Sequence, residues 1–75
     1  MADFEVYIDD DRYAVHSFYL ITAGSEARAR TLAEELWRSS PHHRGVELLF
    51  EGARIVGLGS LAAVKSGDLD ETPRA

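Results

Sequence analysis

Three consecutive carboxylates, Asp9, Asp10 and Asp11, and two adjacent imidazoles, His42 and His43, are the residues of this chain best suited to chemistry. Carboxylate oxygens bind hard cations, but calcium loops space their acids at alternate positions and set the bend with glycine. Three acids in a row read instead as a solvated turn. Adjacent histidines rarely point at one ion, and neither a cysteine nor an acid stands at ligand spacing from His42 and His43. They read as solvated loop histidines. His16 lies among aromatic residues and reads as a packed or edge histidine.

Nucleophile and phosphate motifs are equally sparse. Ser25, Ser39, Ser40 and Ser60 fall at expected helix boundaries, where caps belong, and no Gly-x-Ser-x-Gly elbow occurs. Gly52, Gly57 and Gly59 form no phosphate-binding loop, since neither a P-loop lysine nor a dinucleotide fingerprint follows. The expectation is a protein that is not an enzyme, with no catalytic, metal or cofactor residue.

The elements that would position any site are clearer. Ala29, Leu32, Ala33, Leu36 and Trp37 recur at helical spacing and put one apolar stripe on a helix over residues 26–38. Ser25 is its expected N-cap, with Glu26 favourable beside the helix dipole. Pro41 ends it by Ser40. Phe4, Val6 and Ile8 alternate with Glu5, Tyr7 and Asp9, which predicts a strand over residues 4–9. Residues 12–21, rich in aromatic and β-branched types, predict a second strand paired to the first.

The turn between them leaves the register open. A two-residue turn at Asp10-Asp11 turns Tyr13, Val15, Ser17, Tyr19 and Ile21 toward the core; a three-residue turn selects Ala14, His16, Phe18 and Leu20.

Residues 46–51 and 54–58 predict a second hairpin, turning at Glu51-Gly52 or Gly52-Ala53. Either turn puts Val46, Leu48, Phe50 and Ile55 on the helix side and Glu47, Leu49, Glu51, Arg54, Val56 and Leu58 on the other. Residues 60–65 suit one or two helical turns, with Ser60 as cap. The expected organisation is one α+β domain over residues 1–65 and a disordered tail over 66–75. Its architecture is two-layer ββαββ, one helix packed on a four-stranded, mainly antiparallel sheet.

Residues 20–38 (LITAGSEARARTLAEELWR) and 46–56 (VELLFEGARIV) resemble small uncharacterised bacterial, chiefly proteobacterial, two-layer α/β proteins. The resemblance spans residues 4–58. It implies the fold and carries over no functional residue.

Bulk composition narrows the partners. A net charge of −5, from 13 acids and 8 bases, argues against nucleic-acid backbones and anionic membranes. The N-terminal stretch lacks a basic region and a long apolar run, so neither a signal peptide nor a membrane span is expected. A cytoplasmic protein is the expectation. With 75 residues and no cysteine, the domain relies on packing or association for stability.

One helix covers only one face of a four-stranded sheet. The opposite face still carries apolar side chains, of which Tyr7, Leu49, Val56 and Leu58 are the expected interface residues. The leading expectation is therefore a non-enzymatic protein-interaction module, binding a protein partner or a copy of itself. Two alternatives stand beside it. One is a weak single-stranded nucleic-acid module stacking bases on Tyr13, Phe18 or Tyr19. The other is a small-ligand or metal-binding protein.

Overall fold

The computed structural model describes residues 1–62. Its elements run β1 (Ala2–Asp10), β2 (Ser17–Ala23), α1 (Glu26–Arg38), β3 (His43–Phe50) and β4 (Ala53–Gly59). The sheet order is β2-β1-β3-β4, with every neighbouring pair antiparallel. This is the two-layer ββαββ fold that the patterning predicts. Because β2 and β3 both run antiparallel to β1, they are parallel to each other. Such a pair needs a crossover, and α1 is that crossover.

The helix forms where its signals lie. The Ser25 hydroxyl accepts a hydrogen bond from the Arg28 backbone N–H at 3.1 Å, satisfying one of the orphan donors of the first turn. Ala29 and Ala33 are fully buried against Phe4, Val6, Ile8, Ala23, Val46 and Leu48. Their small side chains let the helix approach the sheet closely. Leu32, Leu36 and Trp37 flank that contact, partly buried. The helix lies mainly over β3, with less contact to β2.

The first hairpin departs from both expected turns. Residues 11–16 form a six-residue connection, and the second strand starts only at Ser17. Asp10 is the cause. Only 3% of it is exposed, and its carboxylate accepts from the Arg12 backbone N–H at 3.0 Å, Arg12 Nε at 2.9 Å and Arg12 Nη2 at 2.6 Å. The Tyr13 N–H donates to the Asp10 carbonyl, and the Asp11 N–H to the His42 carbonyl. Local capture by Asp10 thus removes residues 11–13 from the ladder. His16, expected in a strand, lies in this connection.

Register then pairs Val6 with Tyr19 and Phe4 with Ile21. Six loop residues and two have the same parity, so the helix-side set is Ser17, Tyr19, Ile21 and Ala23. This is the face that the shorter of the two expected turns selects.

The second hairpin turns at Glu51-Gly52, where φ is 51° and 83°. Two positive values mark a type I′ turn, matched to the twist of the strands it joins. Two residues further the pairing slips. Leu49 faces Arg54 but Leu48 faces Val56, with Ile55 as the extra residue of a bulge. Beyond it, Val46 faces Leu58. Val56 and Leu58 therefore share the helix side with Val46 and Leu48, which corrects their expected place on the outer face.

Residues 60–62 turn back across the sheet. Residues 63–65 of the expected short helix, and the expected tail over 66–75, lie outside the described residues. Among the described residues no helix is long and apolar enough to cross a membrane.

Candidate interaction surface

The face of the sheet away from α1 is built in cross-strand rows. Phe18, Tyr7, Glu47 and Gly57 form one, and Leu20, Glu5, Leu49 and Arg54 the next. The Tyr7 and Phe18 rings lie 5.1 Å apart at 50°, a favourable tilted pair. Of the expected interface residues, Tyr7 and Leu49 lie on this face, half-buried, while Val56 and Leu58 do not.

The turn at residues 60–62 covers the β3–β4 half of this face. Arg54 Nη2 donates to the Leu61 carbonyl at 2.6 Å, and Arg54 Nε stands 3.5 Å from Glu47. Ser60 donates through Oγ to Asp9 at 2.7 Å and through its backbone N–H to the Arg44 carbonyl at 2.9 Å. So close an approach requires missing side chains below it. A Cβ at Gly57 would collide with the Leu61 carbonyl, and one at Gly45 would lie 2.7 Å from the Leu61 nitrogen. Leu61 is 7% exposed in consequence. Two glycines thus seat the return turn.

Among the described residues, no such cover reaches the β1–β2 half. Phe18 is 51% exposed and Leu20 63%. On the helix side of the same strand, Tyr19 is 45% exposed. It borders an apolar groove of about 330 Å3 between β2 and α1, lined by Tyr19, Ile21, Leu32, Glu35, Leu36 and Ser39. The groove follows from α1 sitting over β3, which leaves the edge strand under-covered. Among the described residues, β2 thus exposes apolar groups on both faces and pairs on one side only, with β1.

The signal for this strand was present in the sequence. Residues 17–23 (SFYLITA) carry no charge and no proline. The missing information was strand order, since the same composition suits a central strand.

The polar residues gather at the other end of the molecule and engage one another. Asp9 pairs with Arg44 at 3.2 Å, Asp10 with Arg12 at 2.6 Å and Asp11 with His42 at 2.9 Å. His43 is inward: its Nδ1 donates to the Leu36 carbonyl at 2.6 Å, and its Nε2 lies 3.6 Å from Asp10. The Arg12 guanidinium holds the Asp10 carboxyl well below the usual carboxylate range. The Ser60 hydroxyl, then Arg44, lowers that of Asp9. Each acid of the 9–11 run has its own side-chain partner, and among the described residues no three His, Asp or Glu side chains converge as metal ligands would.

The chain matches no known family model, no curated protein and no solved structure.

Proposed function

We propose that the chain is a small non-enzymatic protein-interaction module whose contact element is β2. The observation that carries this reading is an edge strand with apolar side chains exposed on both faces, beside an apolar groove. Exposed edges are normally blunted by charge, proline or a bulge. β2 has none of these: its sequence is uncharged and its register with β1 is unbroken. β4, at the other edge, has Arg54, a bulge and two glycines. Contiguous exposed apolar surface of this kind marks contact sites. The groove offers a partner mostly apolar walls, with Glu35 and Ser39 beside them. The cysteine-free composition supports a cytoplasmic setting.

The test is photocrosslinking in cells from a reactive residue at position 20, with position 30 on the exposed helix face as control. Protein adducts specific to position 20 are expected. Adduct patterns that do not differ between the two positions would refute the reading.

A further inference from the structure

Resting on that reading, we infer that the occupant of the β2 edge is a second copy of this chain, added antiparallel about a two-fold axis to give a continuous eight-stranded sheet. The first ground is the strand itself. Read antiparallel against its copy about Leu20, SFYLITA sets Tyr19 beside Ile21 of the partner on the groove side and Leu20 beside Leu20 on the outer side. Aromatic against β-branched and leucine against leucine are favourable cross-strand pairs. Among the described residues nothing pairs with this edge, and a two-fold contact uses one surface twice.

The second ground is charge. Leu32 and Glu35 line the groove, and Arg28, one helical turn before Leu32, continues the same row at i, i+4 and i+7. Among the described residues neither Arg28 nor Glu35 makes an ion pair. Seven residues of helix separate them by about 10 Å, too far to pair with each other. The two-fold that reverses β2 also reverses α1. Arg28 of one copy then meets the Glu35 end of the other, twice, with Leu32 of both copies between. The row is self-complementary only in the antiparallel sense, which selects a two-fold contact over a head-to-tail one.

The experiment is molar mass by light scattering across a dilution series of the full chain. Wild type is expected to move from the 8.3 kDa monomer to twice that mass as concentration rises. Leu20→Lys removes the leucine–leucine contact at the axis and opposes two ammonium groups across it, so association weakens by at least about tenfold. Position 20 is largely exposed, so the monomer keeps its fold, checked by circular dichroism. Arg28→Glu and Glu35→Arg each weaken the dimer, and the double exchange restores it.

A wild type that is monomeric throughout overturns the inference, as does a dimer indifferent to Leu20→Lys or one that the double exchange leaves weakened. The crosslinking experiment separates the two readings. A monomer that still gives adducts at position 20 to other proteins overturns self-pairing alone. A monomer without them overturns both.

Discussion

Asp10 shows how one side chain sets a strand boundary. Its carboxylate holds Arg12 through the backbone and the guanidinium together, and both bonds are stronger to the ionised form. Its pKa is depressed in the fold, as is that of Asp9. A depressed carboxylate contributes stability that is present above its unfolded pKa, about 3.9, and lost as pH falls through the folded value. Urea midpoints measured from neutral pH downward should hold until about pH 4 and then decline. Asp10→Asn should be less stable at neutral pH and decline less on acidification. Glu51 is a second case. At φ 51° it occupies a left-handed position that disfavours a side chain like glutamate. Glu51→Asn completes an Asn-Gly type I′ turn and should raise stability by about 0.5–1 kcal/mol in denaturant titration.

At the scale of the element, the bulge in β4 decides which residues the core receives. Without it, Val56 and Leu58 would stand on the outer face; with it, they join Leu48 and Val46. Val56→Asp should therefore cost about 1–3 kcal/mol, where an exposed outer-face position would tolerate the change within about 0.5 kcal/mol. Gly57 performs a related task. Gly57→Ala forces a methyl against the Leu61 carbonyl and should cost about 1–3 kcal/mol, with self-association unchanged because β2 lies at the opposite edge.

The helix, its Ser25 cap and the apolar alternation of β1 were legible because each is written in local spacing. The bulge was not, since ARIVGL reads as one unbroken strand. Nor was the six-residue connection. Tyr13, Val15 and His16 suit a strand, and only the bonds to Asp10 and His42 hold the chain back from pairing there. Tyr7 and Leu49 were placed on the outer face by alternation alone. The exposed strand beside them depended on strand order, which arises from β1 pairing with β3 across a long stretch of sequence.

At the scale of the whole molecule, the described residues leave the two edges of the sheet unequal. The return turn at residues 60–62 and Arg54 cover the outer face of β3 and β4, while β2 is left with an apolar strip and groove. A domain of this size has few other sources of stability. Pairing β2 with its copy covers the strip, fills the groove and removes the bare edge in one contact. The most direct measurement is amide hydrogen exchange along the chain at low and high protein concentration. Protection should rise with concentration in β2, around Leu20, and along the Leu32 row of α1, while β4 exchanges at the same rate throughout. Equal exchange in β2 at every concentration, or concentration-dependent protection in β4 instead, would contradict it.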